Sequence, residues 1–184
     1  GIPRQSGIIQ ELKGQIIFKK EFRNPDALRG IEEYSHLWLI FDFSENHREN
    51  WAPTVRPPRL GGNERKGVFA TRSPFRPNNL GLSVVRLDGI KNDKNLGNIL
   101  LVSGVDLLNN TPIFDIKPYI PYCDSKPFAK GSFGEENKEY KINVSYSEEI
   151  FKDFPKDKIL PLIKCLEQDP RPAYQTDERI YKMN

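Results

Sequence analysis

The sequence has 184 residues, 37% of them hydrophobic and 29% charged, with a formal net charge of +3; that length suits one domain with at most a small appendage. Its longest apolar run, Leu37 to Phe41, is far too short for a membrane span. Two cysteines, Cys123 and Cys165, make no Cys-x-x-Cys pair and cannot build a disulfide scaffold, so a reducing, cytoplasmic setting is expected. Gly1 stands first in place of Met and no leader-like basic and apolar segments follow, so the native start is expected to lie upstream.

In chain order, β-branched and aromatic residues predict strands at 15–19, 35–43, 67–71, 81–89, 98–105, 112–116 and 140–145. Between the first two, Asn24 as N-cap, Pro25 at the first helical position and Gly30 past the end predict a short helix. Parallel strands need helical crossovers, which this chain mostly lacks, so the class is mainly β and the architecture an antiparallel barrel or sandwich. From Ser147 the texture changes. Ile150, Phe151 and Phe154, then Ile159, Leu162, Ile163 and Leu166, fall at helical spacing up to the Asp169-Pro170 break. The expected division is a β-domain over 1–146 and a small α-containing C-terminal lobe over 147–184, the latter expected to be incomplete.

Dinucleotide, P-loop, Gly-x-Ser-x-Gly and His-Glu-x-x-His motifs are missing from the sequence. With two histidines, His36 in a strand and His47 in a loop, and two distant cysteines, no metal site is expected. The modest net charge hides a local excess. Between residues 53 and 81 lie Arg56, Arg59, Arg65, Lys66, Arg72 and Arg76 against Glu64 alone, and a cationic segment on a nearly neutral body points to an anionic partner.

Three segments carry chemistry. In the first, VRPPRLGGN running on to GVFATRSPFRPNNLG, prolines and glycines fix a backbone that presents arginines at low entropic cost; a solvated connector is the alternative. In the second, the Asn109-Asn110 turn signal predicts a hairpin bringing Asp106 and Asp115 toward one end. Asp115 and Lys117 share strand parity and form either an ion pair or part of a polar pocket. The third, DPRPAY, is a stiff turn offering Arg171 and Tyr174 to a phosphate and a base.

Taken together, VRPPRLGGN, GVFATRSPFRPN, DIKPYIPY and DPRPAY, with GIPRQ at the start, RGIE and SHLW, resemble the TsaA-like (TrmO) family of S-adenosylmethionine-dependent tRNA N6-methyltransferases over nearly the whole chain. The resemblance implies a single-sheet antiparallel β-barrel, a homodimer, and methylation of N6 of threonylcarbamoyl-adenosine beside the anticodon of a threonine tRNA. It also implies cofactor contacts at Ser6, Gly7, Ile8, Ser44, Glu45, Arg72, Leu82, Ser103, Gly104, Val105 and Asp106. Ser44 departs from the family pattern, in which many relatives carry a histidine. Methyl transfer needs positioning more than a nucleophile, so no covalent residue is expected, and Asp115, Lys117 and Tyr119 are assigned to the pocket of the reacting nitrogen. Arg76 or Arg4 would meet the threonyl carboxylate, Arg56, Arg59, Arg65 and Lys66 the phosphates, and Arg171 and Tyr174 the anticodon loop. The alternative is a nucleic-acid-binding or regulatory module of the same fold that performs no transfer, and a further one is a methyltransferase of the same fold acting on another substrate, a small one included.

Overall fold

A computed structural model describes residues 3–58, 64–136 and 138–171. Its centre is one antiparallel sheet of five strands, β1 (Lys13–Ile17), β2 (His36–Asp42), β5 (Leu80–Asp93), β6 (Gly97–Ser103) and β7 (Ile113–Pro118), in the order β1-β6-β5-β2-β7. A separate two-stranded ribbon pairs β3 (Thr54–Val55) with β4 (Lys66–Gly67). Helices are short: α1 (Pro121–Asp124), α2 (Ser132–Glu136) and the twelve-residue α3 (Lys156–Glu167). None of the helices among the described residues is long and apolar enough to cross a membrane.

Period-two alternation decides which face is inside. In β2, Leu37, Leu39 and Phe41 are buried while His36, Trp38, Ile40 and Asp42 face the other way. Opposite them in β5 stand Val85, Ser83 and Gly81. Ile16, Leu100 and Val102 complete the core, against which Phe18, Leu28 and Ile31 pack from the connections. Gly81 is required by packing, because a Cβ there would lie 2.2 Å from the Phe41 ring. Strand β5 runs to fourteen residues because it serves two partners, β2 along its first half and β6 along its second. The register shifts between Leu87 and Gly89, where Gly89 has φ 145°; such a bulge bends the strand and sharpens the twist.

The predicted helix after Asn24 is a 3₁₀ turn, Pro25–Leu28, with the Asn24 side chain accepting from the Asp26 amide at 3.0 Å. Three expectations are corrected. The segment from Val68 is a 3₁₀ turn, Val68–Ala70, closed by the Thr71 hydroxyl donating to the Val68 carbonyl at 2.9 Å; the local side-chain bond competes with strand pairing. Residues 140–145 form no strand, the Ile142 amide donating instead to the Glu167 carbonyl at the end of α3. The Asn109-Asn110 turn does form, with Asn110 at φ 62°, but β7 pairs with β2 and not with β6, so Asp106 and Asp115 share no hairpin.

Candidate functional site

The site begins with two glycines. Gly7 and Gly104 both have positive φ, 77° and 76°, conformations that cost glycine little. The Gly7 amide donates to the Gly104 carbonyl at 2.8 Å, and a Cβ on Gly104 would come within 3.3 Å of the Gly7 Cα. This close approach fastens the N-terminal loop to the turn that follows β6, and so brings Ser6 to Asp106. The Ser6 hydroxyl accepts from the Val84 amide at 3.1 Å, and the Ser83 hydroxyl donates to Asp106 Oδ1 at 2.7 Å. Burial pushes the Asp106 carboxyl above its ordinary value of 3.8, opposed by the Ser83 hydroxyl, the amides of Asp106 and Ser6, and the charge of Arg72.

Asp106 and Ser83 belong to the wall of an open cleft of about 440 Å³, a volume within the range of small-molecule sites. Arg72 lines it and donates to the side chain of Gln5, another wall residue. Arg4 lines it too, and donates to the carbonyls of Asp169 and Arg171 at 3.2 and 3.3 Å, so the turn after α3 is tied to the cleft. Within that turn Arg171 Nε donates to Asp169 at 2.9 Å and holds its carboxyl below the usual range, with the Tyr140 hydroxyl adding a bond at 3.3 Å. Arg76 braces its own loop, donating to the carbonyls of Thr71 and Ser73, each at 3.1 Å.

Of the residues singled out in the sequence, the cleft brings together Arg4, Ser44, Glu45, Arg72, Arg76, Leu82 and Asp106. Ser6, Gly7, Ile8, Gly104 and Val105 are not in its wall, and the two glycines instead set its backbone. Ser103 is fully buried elsewhere, its hydroxyl donating to Asp88 at 2.9 Å and accepting from Arg86 at 3.1 Å. Asp115 and Lys117 form an exposed ion pair at 2.7 Å on edge strand β7, opposite Ile40 and Trp38. Lys117 holds the Asp115 carboxyl below its ordinary value. Tyr119 packs on Trp38 with ring centroids 5.8 Å apart, and Trp38 is itself a wall residue of the cleft. Arg65 is clamped to Thr54 at 2.7 and 2.9 Å, Lys66 pairs with Glu64, and Arg56 is exposed. Arg59 and Tyr174 lie outside the described residues.

Several wall residues escaped the sequence reading. Ser83 sits at a buried position of β5 between Gly81 and Val85, and a hydroxyl at core parity needs a buried partner; that parity was the available signal. Asp42 carried a weaker one, an acid closing an apolar strand, and it lies 2.7 Å from His47. Gln5 stood only within the GIPRQ match, with no role assigned to it, and Asn46 gave no signal.

A half-buried carboxylate within the electrostatic reach of Arg72, in the wall of an open cleft at the end of a curved antiparallel sheet, suits a small β-domain to a ligand bearing charges of both signs. Residues 1–125 match the model of the tRNA-methyltransferase O N-terminal domain. The tRNA (adenine(37)-N6)-methyltransferase of Escherichia coli (strain K12) is 41% identical over 187 residues, covering 98% of this chain and 79% of that protein. A protein of Pseudomonas aeruginosa described as a putative S-adenosylmethionine-dependent methyltransferase, RcsF, is 41% identical over 96% of the chain and 77% of its own length. Among solved structures, TrmO from Pseudomonas aeruginosa superimposes with a TM-score of 0.71 at 35% identity, covering 93% of this chain and 73% of that one. The chain belongs to the TrmO family.

The raised carboxyl of Asp106 sets a direction for stability against pH. The folded state keeps this proton to higher pH than the unfolded chain, so over the window opening at 3.8 and extending upward the unfolded state binds fewer protons and stability falls as pH rises. Urea unfolding of wild type and Asp106→Asn between pH 3 and 7 is expected to show the wild type losing ground to the variant with rising pH. A wild type that gained ground would contradict the assignment.

Proposed function

We propose that this chain transfers a methyl group from S-adenosylmethionine to N6 of adenosine 37 of a tRNA. The observation that carries the reading is the Asp106 and Arg72 cleft in a chain 41% identical, over 98% of its length, to an enzyme of that name. The residues present fit the cofactor. Arg72 offers a guanidinium to a carboxylate, Asp106 and Glu45 offer acceptors to hydroxyl or ammonium groups, and Leu82 and Phe41 supply apolar wall. When bound, S-adenosylmethionine supplies a methyl group activated by its sulfonium.

The chain's own part is to hold and orient. Fixing Asp106 through Ser83 and Ser6 before binding lowers the ordering cost, and geometry then carries much of the acceleration. The target base is proposed to lie on the outer face of β2 and β5, where Trp38, Ile40 and Leu82 share one side with Asp115 and Lys117. Tyr119 stands at its rim against Trp38. Asp115, kept a weak base by Lys117, becomes a proton acceptor when a substrate group draws that lysine away.

The finer expectations remain proposals of the same reading. Threonylcarbamoyl-adenosine as the target is favoured because a carbamoylated nitrogen yields its proton more readily and because Arg4 and Arg76 are present to meet its carboxylate. Barrel-like closure of the sheet is supported by a core that takes Ile16 from one edge strand and Ile113 and Ile116 from the other. A homodimer is carried forward from the family resemblance. The division at 146/147 is supported by the twelve-residue α3 (Lys156–Glu167) lying beyond it, and a cytoplasmic setting by a tRNA substrate. Arg56, Arg59, Arg65 and Lys66 are proposed as phosphate contacts. Arg56→Ala is then expected to weaken tRNA binding evenly across sequences and to lower the slope of log affinity against log salt by about one; an unchanged slope in a salt titration would remove it from the interface.

A further inference from the structure

Beside the cleft lies a second, smaller pocket of about 160 Å³. Asn46 and Arg76 line both, so the two are neighbours across a shared wall. The smaller one is closed by Trp51 and Phe75. Trp51 stacks on Phe69 with ring centroids 6.0 Å apart and planes inclined by 29°. These rings cover no core: Trp51 is 48% and Phe69 72% exposed. The guanidinium of Arg48 lies 3.8 Å over the Phe75 ring, that of Arg76 5.9 Å from Phe69, and the Ala52 amide donates to the Phe75 carbonyl at 3.2 Å.

An exposed aromatic pair with arginines close by is the chemistry with which single-stranded nucleic acid is gripped, base on ring and phosphate on guanidinium. At 6.0 Å the two rings are too close to admit a base between them, so a base must lie on their open faces. Asn46 and Asn50 in the adjoining wall offer amide groups to its edge. We propose that Trp51 and Phe69, with the pocket beside them, form a stacking site for the nucleotide next to the target adenosine in a single-stranded RNA loop. The site rests on the reading above and deepens it: displacing the neighbour from the stack helps present the target base to the cleft.

The test uses the full chain with S-adenosylmethionine and a tRNA substrate, intact or lacking the base at either position flanking the target adenosine. Trp51→Ala and Phe69→Ala are each expected to lower kcat/KM for tRNA by about five- to a hundredfold while leaving S-adenosylmethionine affinity unchanged, which also reports an intact fold. Trp51→Phe is expected to keep most of the activity. One flanking abasic RNA should lose a similar factor with wild type and little more with Trp51→Ala. Wild-type rates in both alanine variants, or losses that simply multiply with those of both abasic RNAs, would overturn the stacking site while leaving the methyltransferase reading intact. A wild type that binds no S-adenosylmethionine and methylates no tRNA would overturn that reading and the stacking site with it.

Discussion

Replacing Asp106 by alanine is expected to weaken S-adenosylmethionine binding by about ten- to a hundredfold, the scale of losing charge-assisted hydrogen bonds of about 1.5–3 kcal/mol. The carboxylate is half-buried at the cleft wall and already ordered by the Ser83 hydroxyl, which leaves it acceptor capacity for a ligand. Asp106→Asn separates charge from shape. It keeps a side chain of the same size but gives up the anion, and affinity should fall between the two. Because folding partly desolvates this charge, the asparagine variant is expected to match or exceed the wild type in urea midpoint even as binding declines. Function is then held at some expense of stability. Titration calorimetry and unfolding on the same preparations check both halves, and undiminished binding in both variants would remove Asp106 from the site.

Gly81→Ala is expected to destabilise the protein by about 2–3 kcal/mol, toward the upper end of the cost of overpacking a core. The added methyl would stand 2.2 Å from the Phe41 ring, well inside contact distance, in the paired register of β2 and β5. Phe41 is nearly fully buried, and its edge-on partner Phe43 at 5.2 Å leaves the ring little room to turn. Since Phe41 and Gly81 both line the cleft, cofactor affinity should fall along with the urea midpoint. The double variant Phe41→Leu, Gly81→Ala is expected to recover part of the loss, because leucine vacates the volume the methyl takes. Equal stability of Gly81→Ala and wild type would show that the ring does not constrain this position.

The sheet was legible wherever one face is apolar. In β2 the short apolar run Leu37 to Phe41, with two aromatic residues and a β-branched one, reads as a strand by its length and residue types. The end of β5 beyond Gly89 was not, because Lys91, Asn92 and Asp93 carry no alternation and form a strand only through pairing with β6. Strand assignment failed at 68–70, where the Thr71 hydroxyl turns the chain, and at 140–145, which runs beside α3 without a strand partner among the described residues. For the site, Arg72 and Asp106 stood out by motif, whereas the order of the strands did not. Only the pairing of β7 with β2 puts Asp115 and Lys117 across from Ile40 and Trp38 and not in a hairpin with the strand that leads to Asp106. Ser103 illustrates the remaining difficulty: it adjoins the glycine that shapes the site, yet its hydroxyl points into the Asp88 and Arg86 network. Sequence adjacency does not give side-chain direction.

Methyl transfer measured directly decides the central claim. The protein is incubated with methyl-labelled S-adenosylmethionine and tRNA from cells lacking the endogenous activity, and the tRNA is digested to nucleosides. The expected result is label on N6 of adenosine 37, close to one methyl per acceptor tRNA, and a sharply slower reaction with Asp106→Ala. Unlabelled tRNA at saturating cofactor, from a wild-type protein that binds the cofactor, would contradict it.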